Sequence, residues 1–290
     1  MTTDVHPPAP DLPRRGPLRR FLEVRGVVGG HAVDHVQARL RAEDGTRLAG
    51  SYLPGGGGEA AVLLAHGFAA NRRKPAYARL ADGLASRLPV LSLDLRGHGG
   101  SEGWCTLGDR EAMDVDAGVA WLRSMGHRVV IAVGLSMGGT AVLHAASAGL
   151  QLDGLVTISA PARFRDVPEN DPTRRLKRIW ESPSQRQAMR WGLGVRLAGP
   201  AGWRRPEHPV LMAGRVRTPL LVVHGRDDAY FPVADAEALA EAAGGPTRLW
   251  VEPAGFGHAE DGLTPGFVDA LADAIAAAAG GDDFPARTGA

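Results

Sequence analysis

Cysteine is nearly absent: Cys105 stands alone in 290 residues. One thiol excludes an internal disulfide framework and suits a reducing compartment. Charge imbalance is also missing, because 33 Lys and Arg face 32 Asp and Glu for a formal net charge of +1. A whole-molecule field that would gather nucleic acid is therefore not expected. No apolar run is long enough to span a bilayer, which excludes a membrane span. The arginines near the N-terminus lack a following apolar stretch, so a secretory leader is not expected and the cytoplasm is the default. No fixed period recurs, which excludes a solenoid. What remains is an ordinary globular composition, 44% hydrophobic and 22% charged, in a chain that can bury one large core or two modest ones.

Residues 1–20 are rich in Pro and Arg with little to bury, and are expected to form a mobile tail. Val36 to Pro54 alternates apolar and polar residues around Asp44-Gly45, the pattern of a β-hairpin. A short apolar strand, Ala60 to Ala65, runs into His66-Gly67-Phe68. Strand and helix then alternate. Helices are expected at Tyr77–Leu88, at Arg110–Met125 (with Met113, Ala117, Trp121 and Met125 in register), at Val233–Ala243 and up to Ala279. Strands are expected at Pro89–Leu95, Leu155–Ala160, Pro219–His224 and Thr247–Glu252. Such alternation demands a largely parallel sheet covered on both faces, with function gathered at the carboxyl ends of its strands.

One stretch organises the rest. The apolar run from Val129 breaks into Gly134-Leu135-Ser136-Met137-Gly138 and continues at once as a helix-like segment, Thr140 to Ala148. That context turns a G-x-S-x-G match into a nucleophile elbow. The turn is tight enough to exclude β-carbons two residues either side of the serine, and it presents the Ser136 hydroxyl at a helix N-terminus, where a developing oxyanion is favoured. A serine needs a base. His258, in the loop Gly255-Phe-Gly-His258 after the last strand, is the well-placed late histidine, because in parallel-sheet hydrolases the acid and then the histidine follow the serine. Asp227 and Asp228, just past the strand that ends at His224, are the two candidate acids.

Residues 163–216 interrupt the alternation. Six prolines (Pro168, Pro172, Pro183, Pro200, Pro206 and Pro209) break this segment into short helical pieces, and it holds Trp180, Trp191 and Trp203. Arg163 to Glu207 carries eleven Lys/Arg against five Asp/Glu, a local charge of +6. Inserted at the carboxyl side of a sheet, it is expected to be a cap, with those tryptophans as candidate walls of a substrate pocket.

Together these motifs resemble the α/β-hydrolase superfamily, in its serine-esterase and serine-aminopeptidase branch. His66-Gly67-Phe68 looks like the oxyanion turn, and Asp94-Leu-Arg-Gly-His-Gly-Gly-Ser101 resembles the D-x-R-G-x-G-x-S loop. Gly225 to Pro232 is similar to G-x-x-D-x-x-x-P, and Gly257-His258 to the histidine loop. The motifs stand in family order across about residues 36–279. The resemblance implies a mostly parallel eight-stranded sheet with helices on both faces, one hydrolase domain over 21–290, and the cap. It also picks Asp228 over Asp227 as the acid, and the backbone N–H groups of Phe68 and Met137 as oxyanion donors. His66, Arg96, His98 and Ser101 are expected to be loop architecture. Cys105 lacks a flanking His or Lys to activate it. The implied activity is hydrolysis of a carboxylic ester or thioester through a Ser-His-Asp triad, with no metal or cofactor and a small acyl substrate as partner. A peptidase of the aminopeptidase type, a cofactor-free perhydrolase and a non-catalytic ligand receptor are the alternatives. Acyl chain, leaving group and oligomeric state leave no signature in the sequence.

Overall fold

The computed structural model describes residues 5–6, 29–164 and 169–287. Nine strands among them form one sheet: β1 (Val5–His6), β2 (Val36–Arg41), β3 (Arg47–Leu53), β4 (Ala60–Ala65), β5 (Val90–Asp94), β6 (Val129–Leu135), β7 (Gly154–Ile158), β8 (Leu220–Gly225) and β9 (Thr247–Glu252). Their order is β1-β2-β3-β5-β4-β6-β7-β8-β9. The expected hairpin is present, with β2 and β3 antiparallel across the Asp44-Gly45 turn and β3 antiparallel to β5. From β5 through β9 every pairing is parallel. The eight strands β2–β9 are the mostly parallel sheet that the alternation demanded. Val5–His6 pairs with β2, and the rest of the stretch expected to be a tail lies outside the described residues.

Two apolar layers sandwich the sheet, and the strand period of two divides residues between them. In β6, Val130 and Ala132 face one layer while Ile131, Val133 and Leu135 face the other. The first layer is closed by α2 (Glu111–Ser124), α3 (Met137–Ser147), α6 (Pro209–Ala213) and α7 (Val233–Ala242), and the second by α1 (Pro75–Ala85) and α8 (Pro265–Ala279). Strands buried on both faces must be apolar throughout, which is why β5, β7 and β8 are buried at every position.

In α2 the expected register holds at Ala117 and Trp121, which are buried, and at Met125, which packs against the core, but Met113 is exposed. The buried face also takes in Glu111, Asp114, Val115, Gly118 and Leu122. The two acids are buried because they have partners. Glu111 accepts from the Thr106 amide (2.7 Å), the Thr106 hydroxyl (2.6 Å) and the Gly108 amide (2.9 Å). Asp114 accepts from the Arg96 guanidinium at 2.7 and 2.9 Å. Hydrogen-bond satisfaction here outranks side-chain hydrophobicity.

Between β7 and β8 lie α4 (Asp171–Glu181), α5 (Pro183–Leu193), a 3-10 turn (Pro200–Gly202) and α6. Proline occupies the first turn of α4, α5 and α6, where a missing N–H costs nothing. Asn170 caps α4 by accepting from the Thr173 amide at 2.9 Å.

Candidate active site

Ser136 sits between β6 and α3 with φ 51° and ψ −113°, a conformation an L-residue holds only when its surroundings impose it. They do. The Ser136 amide donates to Ile158 O at 2.8 Å, and its carbonyl accepts from the Thr140 amide at 3.1 Å. A β-carbon on Gly134 would collide with the backbone of Gly138, and one on Gly138 with the carbonyl of Ala65. Only glycine fits at either place.

The structure brings Ser136, His258 and Asp228 into one hydrogen-bonded chain. His258 Nε2 lies 2.9 Å from Ser136 Oγ, and His258 Nδ1 lies 2.8 Å from Asp228 Oδ2. The other carboxylate oxygen, Oδ1, accepts from the amides of Tyr230 (2.8 Å) and Phe231 (3.0 Å). Burial alone would push the Asp228 carboxyl up. The hydrogen bond and charge of His258, with the two amides, outweigh it and hold the carboxyl below the usual carboxylate range. Asp227 points elsewhere: its Oδ2 accepts from the Gly255 amide at 2.7 Å on an exposed loop.

Phe68 and Met137 flank the serine. Met137 opens α3, so its N–H has no intrahelical acceptor. The Phe68 amide has no acceptor among the described residues, whereas its neighbours are tied down. Gly67 N–H donates to Tyr77 Oη (3.1 Å) and Ala69 N–H to His98 Nε2 (3.2 Å). His66 bridges Gly67 O (2.7 Å) and the Leu95 amide (3.0 Å), and His98 Nδ1 lies 3.0 Å from Arg96 O. Each ring thus donates from Nδ1 and accepts at Nε2, which requires the neutral form. Burial enforces it, lowering both imidazoles and taking His98 to about 3. His66, His98, Arg96 and Ser101 are architecture. Cys105 is buried against Met137, with Sγ 3.5 Å from the Met137 sulfur, and burial raises its thiol far above the ordinary value.

A cavity of about 410 Å³ opens over Ser136. Phe68, Met137 and Thr140 form its floor, Tyr230 and Phe231 one side, and Leu176, Trp180 and Trp203 its roof. Trp180 and Trp203 meet edge to face at 5.4 Å. Trp191 is not part of it. It projects from α5, a helix with no buried residue, and is exposed; tryptophan composition alone could not tell an inward from an outward helical phase.

Other residues at the site went unread in the sequence. The rings of Tyr230 and Phe231 pack on His258 at 4.4 and 5.5 Å between centroids. Both lie between Asp228 and Pro232, inside a motif already singled out, so the signal was there. Ser159 Oγ accepts from the Ala259 amide at 2.9 Å and fixes the histidine loop; nothing local marks it. The five non-glycine residues with positive φ among the described residues are Ala69, Leu107, Ser136, Ser159 and Ala259. Leu107 and Ser136 line the cavity, Ala69 follows Phe68 in sequence, and Ala259, bonded to Ser159, follows His258, so the strain gathers around the triad, as at many functional sites.

The alpha/beta hydrolase fold family profile matches residues 60–188. The structure superposes on an esterase of Pyrococcus furiosus with TM-score 0.64 at 20% identity, covering 94% of this chain and 98% of that one. This is the α/β-hydrolase fold. A thermophilic esterase of Thermogutta terrifontis shares the fold with TM-score 0.60 at 24% identity, covering 84% of this chain and 97% of its own. Among curated sequences, the uncharacterised protein YqkD of Bacillus subtilis is 32% identical over 166 residues, 56% of this chain. The chain spans about half that relative's length, 53%. In a hydrolase fold, loops at the carboxyl ends of β4, β6, β8 and β9 carry Phe68, Ser136, Asp228 and His258 to one edge of the sheet.

Proposed function

We propose that this protein is a serine hydrolase that cleaves a carboxylic ester or thioester through an acyl-enzyme intermediate. The observation that carries the reading is the unbroken chain Ser136 Oγ–His258 Nε2, His258 Nδ1–Asp228 Oδ2, ending on a hydroxyl exposed to a largely apolar cavity. Ser136 Oγ attacks the carbonyl carbon as its proton passes to His258 Nε2. Asp228 holds the imidazole in the tautomer that can accept that proton, and offsets the charge it gains. The carbonyl oxygen becomes an oxyanion facing the Phe68 and Met137 amides. As the tetrahedral intermediate collapses, His258 gives its proton to the leaving oxygen or sulfur. Water, deprotonated by the same imidazole, then releases the acid and regenerates Ser136. Esters and thioesters are favoured because their leaving groups need the least help. Residues 21–290 act on this reading as one hydrolase domain, with residues 163–216 as a cap over the site. A lone, buried Cys105 is in keeping with a cytoplasmic site of action.

The test is labelling by a fluorophosphonate probe, followed by a panel of ester, thioester, amide and peptide substrates. A covalent adduct on Ser136, lost in Ser136→Ala, and turnover of esters or thioesters are expected. An adduct on Ser101 or Ser159, or a Ser136→Ala variant with wild-type turnover, overturns the assignment.

A further inference from the structure

Helix α5 does something unusual for its length. All eleven residues of Pro183–Leu193 escape burial, although a surface helix ordinarily hides one apolar stripe. Trp191 is 75% exposed and Leu193 48%. Beside them Trp104 is 51% exposed, with the Arg190 guanidinium 5.9 Å from its ring centroid. On the other flank an open groove runs between α4 and α5, lined by Arg174, Arg175 and Arg178 of α4 and by Met189 and Leu193 of α5. At 100° per residue, Trp191 points away from Met189. It stands with Arg190 and Trp104 on one side of α5, and the arginine-lined groove lies on the helix's other side. Helix α5 has no acidic residue, and α4 and α5 together hold six Lys/Arg against Asp171 and Glu181.

We propose that this face of the α4–α5 hairpin docks on an anionic phospholipid surface. Exposed tryptophan and aliphatic residues flanked by arginines suit the boundary between headgroups and acyl chains: the ring and aliphatic carbons enter it and the guanidiniums pair with phosphate. A second copy of the chain is the poorer occupant, because a self-complementary contact would press two positive faces together. The opposite side of α4, through Thr173, Leu176 and Trp180, lines the cavity over Ser136, so docking would set the outer side of the cavity's roof against the lipid. Docking needs no turnover, so its outcome is separable from the hydrolase reading.

The experiment is co-sedimentation of the full chain with vesicles of phosphatidylglycerol and phosphatidylcholine, with phosphatidylcholine alone, and with soluble polyglutamate in a parallel pull-down, at low and high salt. Wild type should pellet with the anionic vesicles only, and less as salt rises, since exposed charges are screened beyond ~10 Å. Trp191→Ser should lose most of the binding. Arg175→Gln with Arg178→Gln should weaken partitioning roughly 25-fold, about fivefold per arginine. Arg39→Gln with Arg79→Gln, which removes equal charge elsewhere on the surface, should leave binding near wild type. A wild-type protein that stays in the supernatant at low salt overturns the proposal. So does equal binding to neutral vesicles, equal weakening by the control pair, or retention on polyglutamate without vesicle binding, which would instead assign the face to an acidic polypeptide.

Discussion

Replacing Asp228 by Asn tests the site more sharply than removing Ser136, because it changes one oxygen to nitrogen without changing shape. Oδ1 accepts two backbone N–H groups, from Tyr230 and Phe231, and Oδ2 faces His258 Nδ1. An asparagine must choose. With its oxygen toward the two amides, its NH2 faces His258 Nδ1, which must then accept, leaving the ring proton on Nε2 against Ser136. With its oxygen toward His258, its NH2 confronts two N–H donors in a buried site. The first arrangement loses one proton's placement and the second leaves three donors unsatisfied, so the first wins. A base already protonated at Nε2 cannot take the Ser136 proton. For such a tautomer error kcat falls about 10⁴-fold, equivalent to about 5 kcal/mol of barrier. Asp227→Asn is the internal control. Its carboxylate accepts one amide from Gly255 on an exposed loop, which an Asn oxygen can also do, so activity should stay within roughly threefold of wild type. The assay is steady-state ester hydrolysis beside the rate of fluorophosphonate labelling, with thermal melting to show both variants are folded. A folded Asp228→Asn protein that keeps a tenth of wild-type kcat, or an Asp227→Asn loss as deep as that of Asp228→Asn, would refute the reasoning.

Ser136→Gly should abolish activity yet melt higher than Ser136→Ala, because φ 51° strains any β-carbon; relief of about 1 kcal/mol gives roughly 2–4 °C in a chain of this size, and equal melting points would show the elbow is not strained. Stability should fall with pH below the unfolded histidine value of ~6.5, because the folded His98, held down to about 3, refuses a proton that the unfolded chain takes. The slope is about 1.4 kcal/mol per pH unit for each such histidine. It should be shallower in His98→Gln, and equal pH slopes in that variant and in wild type would contradict the neutral clamp. If the arginines of residues 163–216 read an anionic handle on the substrate, kcat/KM for an acyl-coenzyme A thioester should exceed that for an uncharged thioester of the same chain, and the advantage should fade with salt. The cavity presents Arg163, Lys177 and Arg205 against Glu169 and Glu181, so the advantage expected is modest, and equal values at every salt concentration would leave the roof as an apolar lid.

How much of this could be read from the chain depends on where each cause is local. Gly134 and Gly138 are legible because backbone within a few residues, or one strand away, leaves no room for a β-carbon, and composition records that directly. The residues alone leave Asp227 and Asp228 open as the acid, and Asp228 is legible only through the resemblance of Gly225 to Pro232 to the G-x-x-D-x-x-x-P motif. The largely parallel sheet follows from the alternation of strands and helices, whereas its strand order, with β4 between β5 and β6, is set by packing. Phase is only partly legible: the four-residue spacing correctly buries Ala117 and Trp121, but Met113 lies outward while buried Asp114 bonds Arg96, and Trp191 projects from the exposed α5. The sharpest contrast is in the strained residues. Ser136 announces itself by flanking glycines, but Ala69, Leu107, Ser159 and Ala259 carry no such mark. Ala69 is held by His98, 29 positions away in sequence, and Ala259 by Ser159, 100 positions away. Strain that is sustained by distant partners has no local cost to advertise, so the residues that stiffen this site are invisible until the chain is folded.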